Sequence, residues 1–265
     1  MQPRPTTAQP AVRRVFITGA SSGIGAALAR HYAAQGAQLG LTGRDPARLQ
    51  QVAAPLPDCR SYLLDVRDAE ALRHAAADFM QQYGVPDIVI ANAGVSRGTL
   101  TEFAEDEPAF QAVFDTNVMG LVHTFQPFIQ GMKARGSGSL VGIASVAGLR
   151  GLPGAGAYSA SKAAAISYLE SLRVELQGAG IHVTTLCPGY IKTPMTDVNT
   201  YPMPFMLEAD VAAAMMARLI DKKRRYAILP WQMAIVGRLM KLLPAALWDW
   251  AMQKVPHKPR SNQDA

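Results

Sequence analysis

The sequence predicts an α/β fold: a single domain on a doubly wound parallel sheet of about seven strands, with helices on both faces. Three observations lead to this prediction. The chain has 265 residues, a length that suits one large domain with a buried core. Short apolar runs bounded by Gly, Pro or Asp alternate with longer alanine-rich stretches. No internal repeat breaks this alternation, which is typical of parallel strands joined by crossover helices.

The predicted elements follow one another in the order that such a sheet needs. A strand at Val12–Thr18 leads into a glycine-rich turn and a helix at Ile24–Gln35, and a strand at Gln38–Thr42 leads into a helix at Ala47–Ala54. Together they form a βαβ unit of the expected length. Further strands are predicted at Ser61–Leu64, Ile88–Ala91, Ser139–Ile143, His182–Leu186 and Tyr226–Leu229, and two long helices at Pro108–Ala134 and Ala157–Gln177.

Composition divides the rest of the chain. Residues 1–11 are rich in proline and lack the apolar stretch of a secretory signal, so we predict a flexible tail. Residues 12–230 are predicted to form the catalytic domain, including a substrate loop at 190–210. A helical apolar extension is predicted at 231–256 and a second flexible tail at 257–265.

Charge and cysteine content exclude several functional classes. The net charge is +6 and the densest basic cluster is Lys222-Lys223-Arg224-Arg225, which we interpret as a solvated loop because no nucleic-acid-binding motif accompanies it. The two cysteines, Cys59 and Cys187, support neither a disulfide framework nor a metal site, and a reducing, cytoplasmic compartment fits best. No metal is expected, because the five histidines lack metal-ligand spacing: His31, His74, His123, His182 and His257.

A glycine-rich turn separates the first predicted strand from the first helix. Its sequence is Thr18-Gly19-Ala20-Ser21-Ser22-Gly23-Ile24-Gly25. Glycines at this place let the backbone approach a phosphate, and the helix N-terminus favours its negative charge. A tight turn with close helix packing could use the same glycines, but the position directly after a first strand favours a dinucleotide site.

The glycine spacing, Gly-x3-Gly-x-Gly, differs from the general Gly-x-Gly-x-x-Gly fingerprint. It resembles the short-chain dehydrogenase/reductase family, and the resemblance extends over about residues 12–230 through several separate motifs. The resemblance implies a Rossmann-fold oxidoreductase that uses a nicotinamide cofactor. By resemblance, a homodimer or homotetramer is expected through the helices at Pro108–Ala134 and Ala157–Gln177.

The end of the second strand, Leu41-Thr42-Gly43-Arg44, indicates which cofactor is preferred. Dinucleotide folds usually carry an acid here to hold the adenosine ribose, whereas an arginine accommodates a 2′-phosphate. Gly43 takes the acid position and Arg44 follows it, which favours NADP(H). The alternative is that Asp45 holds the ribose, in which case NAD(H) would serve.

Other strand ends carry further motifs of the family. Each could also be ordinary turn chemistry after a strand. By resemblance, the residues that contact the cofactor are Gly19, Ser21, Ser22, Gly23, Ile24, Gly25, Arg44, Asp65, Val66, Asn92, Ala93, Gly94, Tyr158, Lys162, Pro188, Gly189, Ile191 and Thr193.

Four residues form the predicted catalytic group: Asn117, Ser145, Tyr158 and Lys162. In Tyr158-Ser159-Ala160-Ser161-Lys162 the tyrosine and lysine stand at i and i+4, on one face of a helix. Ser145 lies thirteen residues upstream at a strand end, which raises this pair above an ordinary solvated helix face. Asn117, in Asp115-Thr116-Asn117-Val118, resembles the family's helix asparagine, although it could instead mark a kink or an interhelical hydrogen bond.

The chemistry assigns these side chains roles. A carbonyl that accepts hydride needs a proton donor, and a tyrosine of ordinary pKa, about 10, matches neutral pH poorly. We expect the Lys162 ammonium, with an oxidised nicotinamide, to lower the pKa of Tyr158. Tyr158 is then the general acid or base and Ser145 polarises the substrate oxygen. Lys162 is also expected to reach the nicotinamide ribose, and the resemblance of Asn117 to the family's helix asparagine implies that it supports a water between the lysine and solvent.

Two apolar segments bear on the substrate. Met195–Leu207 is rich in Met, Pro and aromatic residues, which suits a mobile cover over an apolar pocket, although plain core packing is the common use of such residues. Trp231–Met252 is interrupted by charges and Pro244, too broken to span a membrane. We favour packing over the pocket or a subunit partner, with peripheral membrane contact as the alternative.

The predicted function is therefore NADP(H)-dependent reduction of a carbonyl on a hydrophobic small molecule. The alternatives are NAD-dependent oxidation of an alcohol, a nucleotide-binding scaffold without catalysis, and a peripheral membrane protein.

Overall fold

The computed structural model describes residues 12–199, 201–253, 255 and 260. The predicted tail at 1–11 lies outside these residues, as does the tail at 257–265 except for Arg260. A seven-stranded parallel sheet runs through the centre in the order β3-β2-β1-β4-β5-β6-β9, and β7 pairs with β8 beside it. The strands are β1 Arg14–Ile17, β2 Gln38–Gly43, β3 Cys59–Leu63, β4 Ile88–Ala91, β5 Gly138–Ile143, β6 Ile181–Pro188, β7 Ile191–Lys192, β8 Leu207–Glu208 and β9 Tyr226–Leu229.

Helices cover both faces of this sheet. They are α1 Gly23–Ala33, α2 Pro46–Ala53, α3 Ala69–Tyr83, α4 Glu107–Phe114, α5 Gly120–Arg135, α6 Gly156–Glu175, α7 Pro194–Asp197, α8 Ala209–Asp221, α9 Trp231–Leu242 and α10 Ala245–Met252. One core cluster joins α1, α2 and α8 to the sheet, and a second joins α3, α5 and α6 to its other face. The predicted doubly wound α/β architecture is confirmed.

The central strands are apolar along their whole length because both faces are covered. In β1, Val15 and Ile17 belong to one core cluster and Phe16 to the other, and all three are fully buried. β1 has β2 on one side and β4 on the other, so the strand order reverses at β1. The carboxyl ends of β1 and β4 therefore open a crevice, the usual ligand site of such sheets.

Three details of the predicted helices are wrong. The single helix expected at Pro108–Ala134 is α4 and α5 separated by a π-helical turn, Asp115–Met119, which alters the register of the side chains. Helices α3 and α8 were absent from the prediction. Helix α3 begins at a clear signal, since the Asp68 carboxylate accepts hydrogen bonds from the backbone N–H groups of Glu70 and Ala71.

The C-terminal helices pack against the domain with one side only. In α9, Met233 and Gly237 are buried and Gly237 faces Leu149, while in α10 Trp248 is buried. Arg150 joins both helices to the domain: its guanidinium donates to the Met240 carbonyl at 2.7 Å and lies 4.9 Å from the centre of the Trp248 ring. Among the described residues, no helix combines the length and the apolar character needed to cross a membrane.

Candidate active site

A groove of about 330 Å³ lies at the carboxyl ends of the central strands. It brings together three of the four predicted catalytic residues and most of the predicted cofactor contacts. Gly25, Asp65 and Asn117 stand behind its surface rather than on it. The residues from the prediction that line the groove are Gly19, Ser21, Ser22, Gly23, Ile24, Arg44, Val66, Asn92, Ala93, Gly94, Ser145, Tyr158, Lys162, Pro188, Gly189, Ile191 and Thr193.

The glycine turn forms a narrow cradle at one side of the groove. Gly19 and Gly23 have φ of +66° and +54°, a conformation that glycine adopts without strain. A Cβ on Gly19 would lie 2.6 Å from the Ala93 Cα, and a Cβ on Gly25 would overlap the Gly19 carbonyl oxygen. Only glycine therefore fits here, and the backbone stays open at the N-terminus of α1, where a diphosphate is favoured.

Asn92, after β4, holds this turn in place. Its amide nitrogen donates to the carbonyl oxygens of Thr18 at 3.1 Å and Gly19 at 2.9 Å. The Thr18 hydroxyl in turn lies 3.3 Å from the Asn92 backbone nitrogen. The ends of β1 and β4 are thereby locked together, so the side chain of Asn92 shapes the cradle.

Arg44 stands at the far end of the groove, where an adenosine ribose would lie. Its side chain is exposed, and its Nη1 lies 3.5 Å from Asp65 Oδ2. Burial opposes ionisation of Asp65, but hydrogen bonds and charge from Arg67, with a contribution from Arg44, hold the pKa of its carboxyl below the usual range. Asp45 accepts a hydrogen bond from the Arg48 backbone N–H at 3.0 Å as the N-cap of α2. The acid that could hold a ribose is thus already engaged.

The segment after β6 closes the opposite wall. The Gly189 backbone N–H donates to Leu229 at 2.8 Å, and Ile191 pairs in β7. The methyl of Thr193 would lie 3.0 Å from a Cβ on Gly23, so this wall meets the glycine turn directly. The Thr193 backbone N–H is bound by the Thr196 hydroxyl at 3.0 Å. The predicted cofactor contacts of this segment therefore border the groove beside the cradle: Pro188, Gly189, Ile191 and Thr193.

Ser145, Tyr158 and Lys162 meet at the centre of the groove. Ser145 follows β5, its hydroxyl accepts from the Ala147 backbone N–H at 3.1 Å, and it lies close enough to Tyr158 to influence the pKa of the phenol. Lys162 is buried one turn along α6, with its Nζ 5.8 Å from the centre of the Tyr158 ring. The lysine donates a 2.9 Å hydrogen bond to the carbonyl oxygen of Ile143. Strand β5 and helix α6 thus supply a hydroxyl, a phenol and an ammonium to one point.

Burial shifts the pKa values of both Tyr158 and Lys162. Burial raises the pKa of Tyr158 above its usual value, and the hydrogen bond from Ser145 opposes this only in part. Burial also lowers the pKa of Lys162 to about 8. The lowering of the pKa of Tyr158 by Lys162 together with an oxidised nicotinamide stays a prediction, whereas desolvation of the phenol dominates in the protein by itself. The phenol is therefore protonated at neutral pH.

The sequence left several roles open for Asn117, among them a kink and an interhelical hydrogen bond. It lies in the π-helical turn, and its Nδ2 donates to the Val95 carbonyl at 3.0 Å and to the Ser161 hydroxyl at 2.9 Å. Its Oδ1 accepts from the Val95 backbone N–H at 2.8 Å and lies beside Gly94, which also faces the Lys162 ammonium. Asn117 thus holds the loop after β4 against α6.

Four groups at the site escaped the prediction. Ile143 is an apolar residue whose carbonyl oxygen binds Lys162, and no side-chain pattern signals that role. Ser161, which binds Asn117, and Arg67, which binds Asp65, stand next to predicted residues and could have been found by their position. The Thr42 hydroxyl lines the groove, is buried, and has no hydrogen-bond partner among the described residues.

Aromatic residues flank the catalytic side of the groove. The rings of Tyr190 and Tyr201 meet edge to face at 6.4 Å, and Tyr201 lies close enough to Tyr158 to raise its own pKa further, beyond the effect of burial. Met195 also lines the groove. The segment predicted to cover the substrate therefore lies next to the phenol. Within the described ranges, no group of three His, Cys, Asp or Glu side chains could hold a metal ion.

Comparisons with known proteins agree with this geometry. A family model described as short chain dehydrogenase matches residues 13–202. An uncharacterized oxidoreductase of Myxococcus xanthus is 37% identical over 252 residues, covering 94% of this chain and 99% of that protein. The 11-beta-hydroxysteroid dehydrogenase 1A of Arabidopsis thaliana is 32% identical over 259 residues, covering 89% of this chain and 73% of that protein.

A solved structure provides an independent comparison. A short chain dehydrogenase/reductase from Burkholderia phymatum, in complex with NAD, superposes with a TM-score of 0.80 at 26% identity, covering 94% of this chain and 98% of that chain. The glycine cradle and the open N-terminus of α1 suit the diphosphate of such a cofactor. The chain therefore belongs to the short-chain dehydrogenase/reductase family and is an NAD(P)-dependent oxidoreductase.

Proposed function

We propose that this protein is an NADP(H)-dependent reductase that converts a carbonyl of a hydrophobic small molecule into an alcohol. The observation that carries the proposal is the meeting of Ser145, Tyr158 and the buried Lys162 in one groove, with the Lys162 Nζ 5.8 Å from the centre of the Tyr158 ring. These groups face the groove that contains the glycine cradle. When bound, the nicotinamide supplies the hydride in reduction or accepts it in oxidation.

The residues of the chain handle the proton. Tyr158 keeps its proton at Oη near neutral pH because burial raises its pKa, so it can donate to an oxygen that is gaining negative charge. The Ser145 hydroxyl donates a second hydrogen bond to that oxygen and orients it. Lys162 places a positive charge near the Tyr158 phenol. Its ammonium also donates a hydrogen bond to the carbonyl oxygen of Ile143, which attaches α6 to the end of β5. In alcohol oxidation the same phenol would act in reverse as the base.

The preference for NADP(H) rests on Arg44. Its guanidinium is exposed at the end of the groove, with only a 3.5 Å contact to Asp65, and is free to turn toward a phosphate. Gly43 brings no acid, and Asp45 is engaged as the N-cap of α2. A 2′-phosphate would therefore meet a cation rather than a carboxylate. The residues proposed to hold the diphosphate are Gly19, Ser21, Ser22, Gly23, Ile24, Gly25 and Thr193, those for the adenine are Asp65 and Val66, and those for the nicotinamide side are Asn92, Ala93, Gly94, Tyr158, Lys162, Pro188, Gly189 and Ile191.

A hydrophobic substrate fits the side of the groove nearest Tyr158. Tyr190, Tyr201 and Met195 offer apolar surface with few charges. A relative is named 11-beta-hydroxysteroid dehydrogenase, and a steroid is a largely apolar carbonyl or alcohol. This supports the substrate class and leaves the individual compound open to a screen.

The free cysteines and the exposed residues of two helices bear on the compartment and the oligomeric state of the protein. Both described cysteines, Cys59 and Cys187, are free thiols, which fits a cytoplasmic, reducing environment. Helix α4 exposes Phe110, and α6 exposes Val174, which supports the expected dimer or tetramer through the helices at Pro108–Ala134 and Ala157–Gln177. Light scattering of the purified protein tests the assembly.

The outer face of α9 and α10 favours a contact with a membrane surface. Trp231, Ile235, Leu239 and Leu242 repeat every three or four residues on the exposed side of α9, with Leu242 79% exposed, and Trp250 on α10 is 74% exposed. Arg238 and Lys241 lie in the same stretch and suit anionic headgroups. Co-sedimentation with phosphatidylglycerol vesicles, but not phosphatidylcholine vesicles, is expected. If the protein sediments with neither kind of vesicle, this part of the proposal is refuted.

The proposed function is tested first through cofactor affinity, which requires no substrate. NADPH should bind more tightly than NADH in a fluorescence titration, and Arg44→Ala should weaken NADPH by about 1–3 kcal/mol while changing NADH little. Arg73→Ala, which removes an exposed arginine of α3 outside the groove, is the matched control. Equal weakening of the two cofactors in Arg44→Ala would refute recognition of the phosphate.

The catalytic assignment is tested with Tyr158→Phe. This variant lacks only the phenolic oxygen, so it should bind NADPH like the wild type and lose about 100-fold or more in turnover of an apolar ketone or aldehyde. Tyr83→Phe, at the end of α3 and outside the groove, serves as the control. Unchanged turnover in Tyr158→Phe would rule out its role as proton donor.

A further inference from the structure

A second charged cluster lies outside the groove and involves the C-terminal end of the chain. Arg260 donates from Nε to Asp106 Oδ2 at 2.9 Å and from Nη2 to Asp106 Oδ1 at 3.0 Å, the two-pronged geometry of a strong ion pair. Nη2 also donates to Glu105 at 3.0 Å, and the guanidinium lies 3.6 Å from the centre of the Phe103 ring.

The cluster is shielded from water. The side chain of Arg260 is 14% exposed and that of Asp106 only 5%. The hydrogen bonds from Arg260 hold the pKa of Asp106 below its usual range. Exposed ion pairs contribute little because solvent screens them, but removing the arginine here would leave a shielded carboxylate without its partner.

The cluster is connected to the loop that leaves β4. Asp106 Oδ2, which binds Arg260, also accepts the Leu100 backbone N–H at 2.8 Å. Gly98 forms a parallel bridge with Arg260 itself. The chain from 98 to 106 is thus folded around a residue more than 150 positions later in the sequence.

The same loop contacts the start of the catalytic helix. Thr99 forms a parallel bridge with Ala155, and its backbone N–H donates to Gly154 at 3.1 Å. Ala155 directly precedes α6 and accepts the Ser159 backbone N–H at 2.8 Å, one residue beyond Tyr158. At its other end the loop is held at Val95 by Asn117, as described above. Three attachments therefore fix this loop, at Asn117, at Gly154–Ala155 and at Arg260.

We propose that Arg260 is a positioning residue that fixes the loop of residues 95–106 against the N-terminus of α6 and so shapes the substrate side of the groove. It touches neither the groove nor the predicted catalytic residues, and it acts through Asp106, Leu100 and Thr99. The inference rests on the proposed function only in that the shaped wall is taken to receive a carbonyl substrate. The contacts that carry it are independent of the cofactor.

Hydrogen exchange measures the attachment without a substrate. In Arg260→Ala, the amides of Thr99, Leu100 and Ser159 should exchange about tenfold faster or more, because the loop that these amides belong to or border loses its attachment to Arg260. The amides of β1 should not change. Arg260→Lys keeps the positive charge but cannot bind Asp106 with two parallel hydrogen bonds. Its exchange rates at these amides should therefore lie between those of the wild type and Arg260→Ala. Arg13→Ala, which removes an exposed ion pair to Asp221, is the control.

The positioning role is tested by kinetics with decanal, an apolar aldehyde, and NADPH. Arg260→Ala should raise the KM for decanal ~10-fold, leave kcat within about twofold and leave the Kd for NADPH unchanged, with partial rescue in Arg260→Lys. Faster exchange confined to residues 98–106, or faster exchange with an unchanged KM, would reduce Arg260 to a purely structural role. Unchanged exchange would overturn the inference outright. If wild-type protein reduced no carbonyl, the proposed function would fail, while the exchange at Ser159 would still decide this inference.

Discussion

The glycine turn after β1 and the C-terminal helices differ in how tightly their residues are packed. At the turn, Gly19 and Gly25 leave no room for a single added carbon, and both lie against backbone atoms. On α9 and α10, by contrast, Leu242 and Trp250 project into solvent. The turn is the part of the molecule where chemistry requires a fixed shape. The exposed face of the helices adds an apolar surface on which substitutions should disturb that shape little.

The largest effect that tests this comparison is expected at the turn. Gly25→Ala should weaken NADPH ~10–100-fold, because its Cβ would overlap the Gly19 carbonyl and push the cradle apart at a cost of about 1–3 kcal/mol. Gly151→Ala is the control, since a Cβ there meets no atom within 4 Å. The measurement is a titration of each variant with NADPH. Equal affinities in the two variants would show that the turn tolerates substitution as the helices do.

A smaller effect compares two faces of the same helix. Met233→Ala removes a buried side chain packed over Gly189 and should lower the free energy of unfolding by about 2 kcal/mol. Leu242→Ala, on the exposed face, should change it by no more than about 0.5 kcal/mol. Urea unfolding followed by circular dichroism measures both. A large loss in Leu242→Ala would mean that another surface covers this face, for example a second copy of the chain.

A third effect is a pH dependence of turnover that depends on the buried Lys162 of the groove and not on exposed lysines. Since burial lowers the pKa of Lys162 to about 8, carbonyl reduction should fall up to ~10-fold per pH unit above that value as the ammonium loses its proton. Exposed Lys241 should play no part, so Lys241→Met should keep the wild-type profile. The measurement is kcat/KM for decanal between about pH 7 and pH 9.5.

Stability should move in the opposite direction, which separates titration from unfolding. The folded-state pKa of Lys162 lies below its usual value, so the unfolded chain binds more protons above about pH 8. The contribution of this group to stability therefore rises with pH until the unfolded lysine also loses its proton, near pH 10.5. A melting temperature that falls in step with kcat/KM would contradict this explanation.

Most of the site could be predicted because its signals are local in sequence. The spacing of Tyr158 and Lys162 reflects one helix face, and the glycine turn reflects a single strand-to-helix connection. The pKa of Tyr158 could not be predicted in this way, because it depends on burial, which comes from all the elements packed around the groove. The same holds for Asn117, whose partners Val95 and Ser161 are 22 and 44 positions away.

The sequence by itself determined the parallel α/β fold and the family, and it singled out the glycine cradle and the side chains proposed to react. These follow from hydrophobic period and from short motifs, in which the interacting residues are neighbours along the chain. Only the tertiary structure decided that a π-helical turn aims Asn117 at Val95, that Ile143 holds Lys162, and that Arg260 binds Asp106. Those contacts join distant parts of the chain through backbone atoms or shielded charges, and no local pattern of residues records them.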